Sequence, residues 1–282
     1  MDETMIKIKR LTFGYGSKKP LFVDFGLTLE AGKIVGLLGR NGTGKSTLLY
    51  LICGLLHPRS GKLRFKGIDV SRNATAMLED IYLVPEEFAL PDVTMRQYVK
   101  LNSPFYPKFS GEMLQAFLSD FDLDDTVRLG ELSMGQKKKA FMSFALATNT
   151  SLLLMDEPTN GLDIPSKSQF RKVVSSGMTD GRTIVISTHQ VQDINRLLDH
   201  IVIIEGTQLL LDESVQTITD KLCFVEQGLN EPTDGALYVQ PSVRGNSVVK
   251  PNLYGEETPL DLELLFNAML AEGKEMRKVF GK

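Results

Sequence analysis

The sequence predicts an α/β fold built on a mainly parallel sheet. Three apolar runs carry that expectation: "KIVGLL", "SLLLMDEP" and "TIVISTHQ". Each is short and nearly continuous, the pattern of a strand buried on both faces, and each ends abruptly in glycine or polar residues. Helix-length stretches, "KSTLLYLICGLL" and "SKSQFRKVVSSGM", accompany them. Strand–helix–strand alternation of this kind folds into a parallel sheet with helices on its faces. Ligands bind such sheets beyond the carboxyl ends of the strands, so the residues that follow the three runs are expected to meet at one edge.

The remaining elements fill in around that sheet. "MIKIKRLTFGY" and "LFVDFGLTL" alternate apolar and polar residues, as half-buried strands do. "KLRFKG" and "DIYLVP" read as two more strands. From Pro91 to Ala147 the texture turns helical, with "TMRQYVKLN", "SGEMLQAFLSDF" and "MGQKKKAFMSFALA" inserted between β-rich segments. "HIVIIEGTQLLLD" reads as a closing hairpin. Beyond about residue 218 the pattern weakens to two short strands, "GALYVQ" and "NSVV". A single amphipathic helix follows, "PLDLELLFNAMLAEGKEMRKVF", with Leu262, Leu265, Ala268 and Met269 on one stripe, expected to pack back on its own domain. The division is therefore a domain over 1–218, with a helical subdomain of about 88–147 inserted, and a small extension over 219–282.

Bulk composition narrows the function classes. The 282 residues are 42% hydrophobic and 24% charged with a net charge of −3, ordinary values for a globular protein. The pI near 5.8 argues against a protein that coats nucleic acid, which shows a basic face and a high pI. The two cysteines, Cys53 and Cys223, are far apart and form no CxxC pair, so buried free thiols in a reducing compartment are expected. No stretch approaches the roughly 18 apolar residues of a membrane span, and "MDETMIKIKR" lacks the apolar core of a signal peptide. A cytoplasmic protein is expected, reaching a membrane only through a partner.

The chemistry begins at "GRNGTGKST", Gly39 to Thr47, which fits GxxxxGK[ST] between a buried strand and a helix. Gly39, Gly42 and Gly44 let the backbone curl so that N–H groups face phosphate oxygens. Lys45 reaches the β- and γ-phosphates, Ser46 offers a hydroxyl to Mg²⁺, and Thr47 reaches the α-phosphate. Asn41 and Thr43 complete the loop. "SLLLMDEP" then delivers Asp156 to hold the Mg²⁺ shell and Glu157 to deprotonate an attacking water. His189, at the end of "TIVIST", is expected at the γ-phosphate, while His57 and His200 have no such context and are read as structural. In "LSMGQKKK" Ser133 and Gln136 form a capping-box pair, yet Lys137, Lys138 and Lys139 follow where the helix dipole is positive. The lysines are read as solvated at an interface edge, lending their field to an anion bound elsewhere.

Five ordered motifs, "GRNGTGKST", "LSMGQ", "LLLMDEP", "NGLD" and "TH", make the chain resemble the ATP-binding subunit of ABC transporters over nearly all of 1–218. The resemblance implies a P-loop NTPase core with an N-terminal antiparallel β subdomain and a helical subdomain that docks on a membrane-spanning permease. It implies ATP and Mg²⁺ as ligands, and two head-to-tail subunits, this chain with a second copy or with a paralogue. Each ATP is then held by one subunit's phosphate loop and by Ser133, Gly135 and Gln136 of the other's signature sequence, so an isolated monomer is nearly inactive. Tyr15 stands where the family stacks an aromatic on adenine, with Phe13 as its rival, and Asp163 in "NGLD" resembles the residue that links the two sites. Two departures stand out. Glu86, in "YLVPEEF", replaces the usual glutamine of the lid loop; it remains an oxygen ligand for Mg²⁺ but adds negative charge near the γ-phosphate. Met134 replaces a signature glycine, while Gly135 is kept. "YLVPEEF", "FYPKFSGEMLQAFLSDFDLDD" and "LSMGQKKK" resemble exporter-type subunits, peripheral on the inner face of the cell membrane. The alternative, a soluble ABC ATPase of translation or chromosome maintenance, usually carries a coiled-coil insertion or tandem cassettes, and this chain shows one cassette and no heptad run. A small-molecule P-loop kinase would not need "LSMGQ" or "NGLD".

Overall fold

The computed structural model describes residues 4–16, 19–72, 75–229, 231–243 and 245–281; the first three residues of "MDETMIKIKR" lie outside them. Alternation of inward and outward residues builds the first layer. β1 (Thr4–Phe13) and β2 (Phe22–Glu30) pair antiparallel. After β3 (Ile34–Leu38) and helix α1 (Lys45–Ile52), β4 (Ser60–Phe65) returns to pair with β1 and then with the short β5 (Ile68–Asp69). The sheet order is β2-β1-β4-β5.

The apolar runs build the second layer. A short α2 (Thr75–Leu78) precedes β6 (Ile81–Val84). Three helices follow, α3 (Met95–Asn102), α4 (Gly111–Asp120) and α5 (Met134–Ala147), before β7 (Leu152–Asp156), α6 (Ile164–Ser176), β8 (Thr183–Thr188), β9 (His200–Glu205) and β10 (Gln208–Ser214). The six-stranded order is β10-β9-β3-β8-β7-β6, parallel except for the β9–β10 hairpin. Every residue of β3, β7 and β8 is buried, because both faces are covered. Leu152 and Leu154 face α1 and the first sheet, whereas Leu153 and Met155 face the inserted helices and α6. The period of two thus splits one apolar strand between two cores.

Two features clamp the layers. Asp80 accepts from Lys66 Nζ on the first sheet (2.9 Å) and from Lys108 Nζ in the helical insertion (2.8 Å), and both lysines also reach Ser151. Burial opposes the charge on Asp80, but these donors prevail and hold its pKa at about 2. Arg182 is fully buried; Nη1 donates to Leu146 O (3.0 Å) and Gly177 O (2.9 Å), and Nη2 to Ala145 O (3.4 Å). A buried guanidinium there is stabilised by carbonyls at the negative ends of α5 and α6, and desolvation lowers its pKa to about 10.

The last segment departs from the sequence reading in three ways. α7 (Val215–Lys221) runs across residue 218 and passes directly into β11 (Leu222–Gln227), a strand the sequence pattern did not mark. β12 (Tyr238–Ser242) and β13 (Gly245–Pro251) complete a sheet of order β11-β13-β12. The expected single helix is two, α8 (Leu262–Ala271) and α9 (Gly273–Val279), broken at Glu272, whose ψ of 31° leaves the helical region just before Gly273. Leu262, Leu265, Ala268 and Met269 are buried in one core with Ile201, Ile203 and Leu211, so this helix does pack on its own domain. Cys223 is buried and Cys53 only partly; both are free thiols, and burial pushes the Cys53 thiol up to about 11.

Candidate active site

β3 delivers the chain to Gly39, and close packing decides what fits there. A Cβ on Gly39 would lie 2.6 Å from Thr43 Oγ1 and 2.7 Å from Ile204 O. Gly44 has φ of 100°, and a Cβ there would also meet Leu21 Cδ2 and Phe22 Cζ at 2.9 Å, so both positions require glycine. Thr43 donates its hydroxyl to Arg40 O (2.8 Å), which shapes the loop from within. α1 then starts at Gly44 with no side-chain cap. Lys45 is buried; its Nζ donates to Gly39 O (2.9 Å) and Arg40 O (3.3 Å) and stands 3.5 Å from Glu157 Oε1.

β7 and β8 bring the acids and the histidine to the same edge. Asp156 is buried and accepts a short hydrogen bond from Ser187 Oγ. Glu157 sits at φ of 44°, a strained backbone for a residue with a side chain, and four further contacts hold it besides that to Lys45. Its amide donates to Ser187 O (3.0 Å). Its Oε2 accepts from Thr188 Oγ1 (3.0 Å) and the His189 amide (3.3 Å), and its Oε1 lies 2.8 Å from His189 Nδ1. A carboxylate only accepts, so in this contact Nδ1 of His189 is the donor.

A cleft of about 630 Å³ joins these groups, lined by Tyr15, Asn41, Gly42, Gly44, Lys45, Ser46, Thr47, Glu86, Glu157 and His189, all marked in the sequence. Phe13 is a core residue and Tyr15 is half exposed, packed edge-on against it with its hydroxyl 3.0 Å from Thr47 Oγ1. Lys19, Leu21 and Asn160 also line the cleft and were not marked. Asn160 donates to Glu86 Oε1 (3.0 Å), so the glutamate at the lid position is engaged by the loop after β7.

The expectation of solvated lysines is corrected at Lys138. It is buried, and its Nζ donates to Asn160 O (2.7 Å) and Glu157 O (3.3 Å). Burial lowers its pKa; Glu86, Glu157 and Asp156 oppose that. Lys139 is also anchored, to Gln169 Oε1 (2.9 Å). The sequence held a signal: Lys138, Phe141 and Ala145 share one helical face, so a lysine falls on an apolar stripe.

Ser133, Gly135, Gln136 and Asp163 do not line this cleft. Ser133 Oγ accepts from the Gln136 amide (3.3 Å) and Gln136 Oε1 from the Ser133 amide (3.0 Å), the full capping box. Asp163 caps α6, accepting from Ser166 N (2.9 Å), and the Ser166 hydroxyl together with that amide holds its carboxyl below the usual range. These two helix starts adjoin: a Cβ on Gly135 would lie 3.8 Å from Leu162 and 4.0 Å from Gly161 O.

A family model described as ABC transporter matches residues 22–160, from β2 through the phosphate loop and Glu157 to Asn160. The chain is 30% identical over 206 residues to the ABC transporter ATP-binding protein YtrB of Bacillus subtilis, covering 73% of this chain and 70% of the relative. The chain belongs to the ATP-binding subunits of ABC transporters. As one of them it binds ATP, and its activity is ATP hydrolysis coupled to transport. It is also 30% identical over 232 residues to the Nod factor export ATP-binding protein I of Rhizobium etli, covering 80% of this chain and 73% of that protein. A solved ATP-binding subunit of an ABC transporter superposes with a TM-score of 0.69 at 25% identity, covering 75% of this chain and 90% of that one. The P-loop core, antiparallel first sheet and inserted helices are those of an ABC ATPase subunit.

Proposed function

We propose that this ABC subunit powers an exporter: two ATP-binding subunits close head to tail on two ATP molecules, and closure drives a separate membrane-spanning permease. The observation that carries the chemistry is the fixation of Glu157, strained at φ of 44° and held by Thr188, His189 and Lys45 at the mouth of the phosphate loop. A carboxylate so restrained is positioned to take a proton from an attacking water. Phosphate oxygens compete with Glu157 for Lys45, so arrival of a γ-phosphate frees the carboxylate for water. His189, anchored to Glu157 through Nδ1, contacts the γ-phosphate with its other ring nitrogen. Gly39, Asn41, Gly42, Thr43, Gly44, Ser46 and Thr47 cradle the phosphates, and Tyr15 stacks on the base.

Ser46, Asp156 and Glu86 are hard oxygen donors, a set that suits Mg²⁺ held by one or two protein oxygens and the nucleotide's own phosphates. The ion supplies charge neutralisation on the phosphates. With Glu86 in place of an amide the site carries one extra negative charge, which slows turnover and which the Asn160 amide offsets.

Ser133, Gly135, Gln136 and Asp163 serve the other subunit's nucleotide. Supporting this, Met134 and Ile164 are large apolar side chains exposed at the adjoining starts of α5 and α6, the kind of surface a partner subunit covers. Leu101 and Phe105 are exposed on the helical insertion and support docking of the permease there, which places the subunit peripherally on the inner face of the membrane. No helix among the described residues is long and apolar enough to cross a membrane. The name of the Rhizobium etli relative, an export protein, supports the direction of transport.

The test is Glu157→Gln. The amide keeps the size of the side chain and one acceptor oxygen but loses the base, so ATP binding persists, hydrolysis falls by about 100-fold or more, and an ATP-bound dimer accumulates on size exclusion. Hydrolysis at the native rate would remove Glu157 from the role of base.

A further inference from the structure

The outer face of the first sheet carries a charge pattern that the nucleotide site does not use. β1 turns Lys7 and Lys9 outward, and β4 turns Arg64 and Lys62 outward. In the antiparallel register Lys7 stands directly opposite Arg64 and Lys9 directly opposite Lys62. Directly opposed like charges destabilise a sheet, and here two such pairs are consecutive on one face, with Arg10 beside them. None of the five cations makes a close ion pair among the described residues, although Arg64 also stands opposite Asp69 on β5 and feels its charge. The chain as a whole is acidic, with net charge −3, so the cluster runs against its composition.

The face is also concave. Arg10 (φ 48°) and Asp24 (φ 51°) sit at register shifts in the β1–β2 and β1–β4 ladders. Gly61 (φ 97°) lets β4 press against β1, since a Cβ there would fall 2.4 Å from Arg10 O. The outcome is a groove of about 700 Å³, lined by the five cations together with Thr12, Ser60 and one carboxylate, Asp24. It shares no lining residue with the nucleotide cleft.

We propose that this groove is a second binding site, for a small polyphosphate-type anion. Five cations against one carboxylate require a multiply charged occupant. The volume is that of a small-molecule site. The lining contains no aromatic ring on which a base could stack, which disfavours single-stranded nucleic acid. It contains no large apolar side chain either, the anchor that both a bilayer surface and a peptide hot spot require. Hydroxyls of Thr12 and Ser60 add hydrogen bonds that a phosphate oxygen accepts. Occupancy relieves the repulsion between the opposed pairs, so the bound anion stabilises the sheet.

The experiment titrates inorganic tripolyphosphate by calorimetry into the full chain, into Lys45→Ala, and into Lys9→Gln/Lys62→Gln. The phosphate loop also takes a triphosphate, which makes it an internal control. Binding at the groove survives in Lys45→Ala and weakens by about 10-fold or more in the double variant, whose ATP turnover is unchanged. Without ligand the double variant melts about 1–3 °C higher, from relief of one opposed pair, and tripolyphosphate no longer raises its melting temperature beyond the shift due to the phosphate loop. Loss of all tripolyphosphate binding in Lys45→Ala, or equal affinity in the double variant, overturns the proposal. So does retention of single-stranded RNA or of phosphatidylglycerol vesicles in preference to tripolyphosphate, with loss of that retention in the double variant. A fold defect in Lys45→Ala does not block the test, because melting shifts of the native chain and the double variant report the groove separately.

Discussion

Helices α1 and α5 begin at the phosphate loop and at the signature sequence, the two motifs proposed to meet phosphate, and their first turns are finished in opposite ways. α1 starts at a left-handed glycine with no side-chain cap; its leading amides are left for a ligand, and buried Lys45 adds charge. α5 starts with a complete capping box, so Ser133 and Gln136 satisfy each other's backbone. A helix start with open amides binds an anion by itself. A self-capped one competes with its own side chains and contributes only when a partner brings the anion close. In the proposed head-to-tail dimer the contrast gives tight binding by a subunit's own phosphate loop and conditional binding by the other subunit's signature sequence.

Four substitutions test this difference, in falling order of effect. Lys45→Ala removes the buried cation from the open start, and ATP affinity of the isolated subunit drops by about 100-fold; an unchanged dissociation constant in fluorescence titration breaks the comparison. Asp80→Asn loosens the link between the sheet above α1 and the insertion that carries α5. Because the folded pKa of Asp80 is depressed to about 2, its stabilisation of about 2 kcal/mol is complete above pH 4 and fades as pH falls from about 4 toward 2. Asp80→Asn should therefore lower stability at neutral pH and flatten that acid limb in urea melts across pH. Lys138→Met strips two carbonyls behind the catalytic loop of their donor; kcat should fall about 10-fold while ATP affinity holds, at a stability cost of about 1–3 kcal/mol. If affinity falls instead, Lys138 serves binding and not the placement of Glu157. Ser133→Ala removes the cap at a cost of about 1 kcal/mol. ATP affinity of the isolated subunit stays native and dimer turnover drops a few-fold, measured as activity against protein concentration.

The parts that were legible in the sequence are those where local physics dictates residue type. Gly39 and Gly44 are forced by close approach, and β3, β7 and β8 are apolar throughout because both faces are covered. Lys138 and Asn160 were not legible as site residues, since their partners lie 19 and 74 positions away and only the packing of α5 brings them together. β11 was hidden for a different reason: α7 passes into it at Leu222 without an intervening glycine or proline. The α8–α9 break was hidden because the apolar stripe continues through Met276 and Phe280 while the backbone turns at Glu272.

Arg182 has a mechanical consequence. It pins the far end of α5 to the start of β8, the strand that leads into His189. From that pin at Ala145 and Leu146 back to Ser133, α5 spans about 18–20 Å. Rotation of the helix by about 5° about the pin therefore carries the signature end through about 2 Å, roughly the difference between a hydrogen bond and none, while Ala145 and Leu146 scarcely move. In the proposed dimer the guanidinium would be a fulcrum, and α5 the lever arm by which a small tilt of the helical insertion would engage or release the other subunit's phosphate.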